Sequence, residues 1–237
     1  MMKYTVKRLL QSVLTVLIIV TAVFLLLRML PTDYFFTEEE LVKLSDQAKE
    51  DRLAAAGLKD PLGVQLVRFY GELIRGDLGT SRRIQAGVAV TEIMASKFGI
   101  SMRMGLASLG VSLVLGIALG IVQTLNKDYI RLARVKGMSS RSIMLKHVLK
   151  NAFVPMIAYI PASVLLTIGG SLLVERFFSV PGMGPLLTDA IGRYDTSVVQ
   201  ACVIVYAGLG ILGVFLGDVM MMLFDPRIKL VEGGESR

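Results

Sequence analysis

Between Leu9 and Leu30 the chain runs through 22 residues broken only by Gln11, Ser12, Thr15, Thr21 and Arg28. About 20 helical residues cross the ~30 Å hydrocarbon layer of a bilayer, so this stretch reads as a transmembrane helix. Lys3, Lys7 and Arg8 precede it. A basic start before an apolar core also opens a signal peptide, but this run is too long for one and no small-residue cleavage site follows. Arg28 sits within about a turn of the end, where a long side chain can snorkel to the interface.

Three more apolar stretches have spanning length, at about 102–122, 152–174 and 198–224. The first of them is rich in Gly and Ala, and Gly116 and Gly120 form a GxxxG, which lets membrane helices approach closely. The next holds Pro155 and Pro161 and is expected to be a kinked helix packed against protein, because neighbours must re-satisfy the freed carbonyls. The last carries Asp218 near one end, expected to pair with a cation such as Arg227. The expected fold class is therefore an all-α membrane protein with about four transmembrane helices. Composition agrees: 54% of residues are apolar, 19% are charged and mean hydropathy is +0.64, more apolar than soluble domains tolerate. A net charge of +7 would suggest nucleic acid in a soluble chain; here it marks cytoplasmic loops, and no nucleic-acid partner is expected.

The stretches between the spans differ in character. Residues 31–97 carry eleven acidic and nine basic side chains with several Gly and two Pro. Within them, Glu38 to Ala56 is a helical patch opened by Thr37 as N-cap, with Glu40 completing a capping box. Leu62 to Arg75 is a second, with Leu62, Leu66, Phe69, Tyr70 and Leu73 on one face. Gly76 to Thr80 reads as a turn. Gly87 to Lys97 is expected as a short interfacial helix with Val88, Ile93 and Met94 inward. Residues 177–197 form a polar re-entry long enough for a short helix over Leu186–Arg193, closed off from the preceding span by Glu175 and Arg176.

Residues 127–151 are polar and basic: Lys127, Arg131, Arg134, Lys136, Arg141, Lys146 and Lys150 stand against Asp128 alone. Tyr129 to Lys136 forms one helix with Gly137 as the residue that tolerates positive φ. Ser139 or Ser140 caps a second helix through about Asn151, with Leu145, Val148, Leu149 and Ala152 on one face. The charge places this two-helix elbow inside, and with it both termini; 31–100 and 175–197 then lie outside. The organisation expected is 1–30 as N-terminus and first helix, 31–100 as an extracytoplasmic segment, and 101–237 as the membrane core.

Catalytic signatures are missing: the sequence has no GxxxxGK[ST], HExxH or GxSxG. His147 stands alone as histidine and Cys202 as cysteine, so neither a metal site nor a disulfide is expected, nor any cofactor. An intramembrane aspartyl protease would need two carboxylates within helices; Asp195 is expected in an outer polar loop, which argues against it. The chain reads as a non-enzyme, a conduit or anchor worked by a partner.

DYIRLARVKG (128–137) followed by HVLKNAFVP (147–155) resembles the EAA loop of bacterial ABC importer permeases. Arg131-Leu132-Ala133 stands where that loop has Glu-Ala-Ala, a form that resembles the dipeptide/oligopeptide/nickel branch. LRMLPTDYF (27–35), YGELIRGDLGTS (70–81), FFSVPGMGPLLTDAI (177–191, with Pro181, Gly182 and Gly184) and FDPRIKL (224–230) resemble further segments of that branch, in the same order.

The resemblance implies a permease subunit for peptides or similar small solutes, in the bacterial inner membrane. It implies pairing with a second permease subunit, two ATP-binding subunits, an extracytoplasmic substrate-binding protein and membrane lipid. Asp128, Tyr129, Arg131, Ala133, Lys136, Gly137, Arg141, His147 and Asn151 would carry the contact with the ATPase. Such permeases have six spans, and the third and fourth are expected to be missing around Ile121 to Gln123. A truncated, non-transporting chain that keeps only partner binding is the alternative reading.

Overall fold

The computed structural model describes residues 2–149, 152, 160–163, 165 and 172–224. Helix α1 spans Met2–Arg28, and a 3₁₀ turn at Thr32–Phe35 leads to α2 (Glu38–Lys43), α3 (Asp46–Ala55) and α4 (Leu62–Ile74). Helix α5 covers Val90–Leu125. Next come α6 (Asp128–Val135), α7 (Ser140–Ile143) and a π-helical turn over Met144–Leu149. Helices α8 (Leu172–Phe177), α9 (Met183–Gly192) and α10 (Thr196–Phe224) complete the described chain.

Among the described residues, three helices are long and apolar enough to cross a membrane: Thr5–Arg28 in α1, Val90–Leu125, and Thr196–Met220 in α10. On α1, Leu10, Leu14, Ile18 and Leu26 are exposed; apolar side chains left open on helices of this length are what lipid would cover. The expected third span, 152–174, lies largely outside the described residues, as do Asn151, Pro155 and the 225–237 tail with Arg227.

Two boundaries in the first half of the chain differ from the expectation. The helical patch at 38–56 is two helices, because Leu44 is extended and Ser45 opens α3 by accepting from the Ala48 N–H at 3.3 Å. The interfacial helix at 87–97 and the span after it are one 36-residue helix, about 54 Å long at 1.5 Å per residue. Nothing between Lys97 and Met102 stops it: Gly99 lowers propensity but leaves every N–H in place.

The chain divides into two compact units. One comprises 13–103 and 169–208. Its core joins Val90, Ile93 and Met94 of α5 to Met183, Leu186 and Ala190 of α9 and to Val198, Ala201 and Cys202 of α10. Full burial of such side chains contributes about 1.5–3 kcal/mol for each large one. Helix α4 packs on the C-terminal half of α1 through Phe69 stacked on Phe24 at 5.0 Å and through Tyr70 Oη, 2.7 Å from Thr21 Oγ1. Leu62 of its expected apolar face is exposed, and Gln65 is buried instead.

The other unit comprises 1–12, 104–168 and 209–237. There the GxxxG does what small residues do: a Cβ on Gly120 would sit 3.3 Å from the Ala152 Cβ. Asp218 pairs with a cation as expected, Arg8 of α1 at 3.3 Å, while Arg227 lies outside the described residues.

Candidate functional site

The basic stretch folds as an elbow with its own small core. Ile130 and Ala133 of α6 meet Ile143 and Val148, with Ile121, Leu125 and Met138 packed around them. Helix α6 ends in a complete Schellman motif: the Gly137 N–H donates to Arg134 O at 3.0 Å and the Met138 N–H to Ala133 O at 3.3 Å. Gly137 has φ +75, in the left-handed region that costs a residue with a Cβ about 1 kcal/mol or more. Ser139 then caps α7 by accepting from the Ser142 N–H at 3.4 Å. Ala133 is therefore buried for packing, and the glycine four residues on is the bend.

Past Ile143 the expected α-helix becomes a π-helical turn. That change re-aims the side chains. A wider turn brings residues five apart onto one face, so Ile143 and Val148 are buried together while Leu145 is 66% exposed. Of the expected face, Val148 and Ala152 are buried while Leu145 and Leu149 are exposed. His147 is half-buried in the same turn.

The outer surface of the elbow mixes charge with apolar area. Arg131, Arg134, Lys136, Arg141 and Lys146 are exposed, and among them Leu132, Val135 and Leu145 stand open, Val135 at 84%. Asp128 and Arg131 lie 3.8 Å apart and are almost wholly solvated, a pair worth little to stability. Tyr129 is also exposed. An exposed apolar patch rimmed by cations is the chemistry of an interface with an acidic partner.

In the other unit, Pro181, Gly182 and Gly184 belong to the start of α9, which opens at Met183 rather than at Leu186. The first N–H groups of a helix lack partners within it, and here remote side chains supply them. Ser101 Oγ, from α5, accepts from the Met183 N–H at 2.8 Å, and the buried Glu175 carboxylate accepts from the Gly184 N–H at 2.9 Å. Pro185 has no N–H to satisfy, and the Leu186 N–H reaches Gly182 O at 3.4 Å. Gly182 is needed for space: a Cβ there would overlap both Glu175 Oε2 and Ser101 Oγ. Tyr206 Oη closes the arrangement by donating to Met183 O at 2.7 Å.

Asp195 lies in the loop between α9 and α10 and is fully buried there. Its Oδ2 accepts from Ser81 Oγ and from the N–H groups of Arg82, Arg83 and Ile84 at 2.6–3.1 Å. Successive N–H groups converging on one carboxylate form an anion nest. Arg82 is held in turn by Phe35 O at 2.9 Å; burial pushes its pKa down, and the charges of Asp195 and Glu40 push it back up. The carboxylates at 175 and 195 thus brace the backbone, and sequence reasoning missed both because their partners lie in distant segments.

These features can be set beside known proteins. The family described as "Binding-protein-dependent transport system inner membrane component" matches residues 66–230, which contain both the elbow and the α9 motif. The chain belongs to that family. It is a multi-pass inner-membrane component, and its family consists of transport permeases.

Among curated relatives of this permease family, the oligopeptide transport system permease protein AmiC of Streptococcus pneumoniae is 42% identical over 109 residues, 46% of this chain and 22% of AmiC. The chain thus spans about a fifth of AmiC's length. The dipeptide transport system permease protein DppB of Lactococcus lactis is 26% identical over 308 positions, covering 97% of this chain and 100% of DppB. The glutathione transport system permease protein GsiC of Salmonella paratyphi A is 26% identical over 311 positions, covering 97% and 99%. Since 308 aligned positions face 237 residues, at least 71 positions have no counterpart here although both proteins are covered almost end to end. The shortfall is internal to the alignment.

Proposed function

We propose that the chain is a permease subunit of an ATP-driven importer for peptides or similar small solutes, and that the elbow at 127–151 docks into an ATPase subunit. The observation that carries this reading is the elbow itself: two short helices locked at Gly137, with a core of their own and a cationic, apolar outer surface. A short, internally packed element transmits displacement better than a flexible loop, because an interior at crystal-like density does not yield under load. Asp128, Tyr129, Arg131, Lys136 and Arg141 are its exposed contact residues, His147 is a half-buried one and Asn151 lies beyond the described elbow. Ala133 and Gly137 hold its shape.

The positive-inside rule puts the elbow and both chain ends in the cytoplasm and the 31–100 segment outside. A second permease subunit, two ATP-binding subunits and an extracytoplasmic substrate-binding protein complete the assembly. No catalytic step belongs to this chain.

The test is co-purification of the chain with its ATPase subunits, followed by peptide uptake into proteoliposomes holding the whole complex. Gly137→Val is expected to insert in the membrane and to lose the ATPase, because a β-branched residue resists the left-handed region. Full recovery of the ATPase with that variant would overturn the docking assignment. Docking without uptake by the unmodified chain would favour the partner-binding reading, which the internal shortfall of 71 or more positions motivates.

A further inference from the structure

A cavity of about 250 Å³ lies where the end of α1, the inner face of α4, the 77–82 loop and the start of α10 meet. Three buried polar atoms on its lining residues lack a hydrogen-bond partner: Arg28 Nε, Gln65 Oε1 and Gln200 Nε2. Gln65 is 6% exposed. Its orientation is set by its own amide nitrogen, which donates to Leu58 O at 3.0 Å and to Asp60 O at 2.7 Å, so an acceptor is what it has left over. Buried polar groups are nearly always satisfied in folded proteins, so two open donors and one open acceptor on a single cavity describe an occupant that offers both kinds of group.

The electrostatics have the same polarity. The Arg28 and Arg82 guanidinium groups both rest on the Phe35 ring, each 5.4 Å from its centroid. Arg82 is already offset by Asp195 and Glu40, which leaves Arg28 as the cation that favours an anion beside it. Glu72 supplies negative charge at the more exposed margin. The position adds a third constraint. Arg28 is the last residue of one apolar span, and Gln200 lies just inside the start of another. The cavity therefore sits at the depth of lipid headgroups, with Phe24, Phe69 and Ile204 as its apolar wall.

We propose that this cavity binds a small zwitterion, its oxyanion on Arg28 and the Gln200 amide and its ammonium on Gln65 Oε1 and Glu72. A phosphoethanolamine headgroup and a free dipeptide share that chemistry. The assignment stands whether or not the chain transports.

The unique, buried Cys202 reports unfolding when a thiol-reactive fluorophore labels it, so thermal midpoints of the full chain in detergent can be titrated. Phosphatidylethanolamine or dialanine is expected to raise the midpoint saturably. Phosphatidylcholine, which has no N–H donor, and phosphatidylglycerol, which has no cation, should do so far less. A response to the lipid alone identifies a headgroup site, and one to dialanine alone a soluble zwitterion. Arg28→Gln and Glu72→Gln should each weaken the response about tenfold. Should Arg28→Gln not purify folded, Arg28→Lys, which loses Nε but keeps the charge, and Gln200→Ala should weaken it as well. Equal action of the three lipids with none from dialanine, or variants that respond like the unmodified chain, would overturn the proposal and leave the cavity to water.

Discussion

Ser81 Oγ donates to Asp195 Oδ2 at 2.6 Å across 114 positions of sequence, tying the turn that precedes α5 to the residue that precedes α10. Asp195 reaches that place through a strained neighbour. Helix α9 ends in a Schellman motif, with the Tyr194 N–H on Ile191 O at 3.1 Å and the Asp195 N–H on Ala190 O at 2.8 Å. Tyr194 takes the left-handed position at φ +58, which costs a non-glycine residue about 1–2 kcal/mol; it stacks on Tyr34 at 4.5 Å.

Removing the Asp195 carboxylate should therefore be among the most damaging single changes in this unit. Asp195→Ala leaves a hydroxyl and three backbone N–H groups without their acceptor, at about 1–3 kcal/mol for each that water does not reach. The expected loss is about 3 kcal/mol or more, against about 1–3 kcal/mol for Ser81→Ala, which removes one donor to Asp195 and the acceptor of the Gln85 N–H. Thermal midpoints followed by labelling of buried Cys202 would rank the two. A smaller effect for Asp195→Ala than for Ser81→Ala would show that the nest is solvated.

Gly182 and Gly137 respond to substitution for opposite reasons. At Gly182 the backbone is extended (φ −94), so any residue could adopt it, but a Cβ meets Glu175 and Ser101. Gly182→Ala should cost about 1–3 kcal/mol as overpacking, and Ser101→Gly in the same chain should recover part of it. At Gly137 nothing lies within 4 Å of a Cβ, so only the positive φ matters. Stability of the elbow should fall in the order Gly, Asn, Ala, Val, because Asn tolerates the left-handed region and a β-branched residue does not. Retention of the ATPase by the unmodified chain and the three variants would read the order out; equal retention by Val would sink it.

The opposite change at Ser179 should help. It is the left-handed residue, φ +54, that ends α8, and it is exposed. Ser179→Gly relieves the strain at the cost of some unfolded-chain entropy, for an expected net gain of about 0.5 kcal/mol. A rise in the thermal midpoint checks it.

These positions also separate what was legible in the sequence from what was not. Helices α1 and α10 were legible because apolar length is local information. So were the Thr37–Glu40 capping box, present with both of its hydrogen bonds, and the bend at Gly137, where the one residue type suited to positive φ follows a helical pattern. Ser179 and Tyr194 occupy the same kind of position without a glycine to announce it. The break at Ser45 was hidden inside a continuous helical pattern, since a serine is as compatible with a helix surface as with a cap. The π-helical turn escaped because it changes the period within six residues. The buried roles of Glu175 and Asp195 could not be read at all, because what turns a loop carboxylate into a brace is the arrival of distant N–H groups.

The capping box has a pH signature. The hydrogen bond from the Thr37 N–H, at 2.9 Å, holds the Glu40 carboxyl below its ordinary pKa, with smaller help from Arg52. A depressed folded-state pKa contributes stability that is complete above the unfolded value, about 4.3, and is lost as pH falls through the folded one. Helix α2 should therefore loosen in acid, seen as faster amide exchange of Leu41 and Val42 relative to α4. Glu40→Gln keeps an acceptor for the Thr37 N–H and should flatten that dependence; an unchanged acid response would assign it to another carboxylate.

Arg8 and Asp218 lie 3.3 Å apart on two helices of membrane-spanning character, with 42% and 28% of their side chains exposed. A charge at such a depth is costly alone, so each residue should matter more once its partner is gone than the modest value of an exposed pair suggests. Asp218→Ala is expected to destabilise the helix pair by removing the carboxylate that Arg8 faces. The double-mutant cycle should return a coupling of about 1 kcal/mol or more, measured as resistance of the full chain to unfolding in detergent. The exchange Arg8→Asp/Asp218→Arg should recover part of the loss if attraction between the two side chains is what holds the helices together. Additive single effects would mean that both charges are solvated independently and that packing alone joins α1 to α10 at this level.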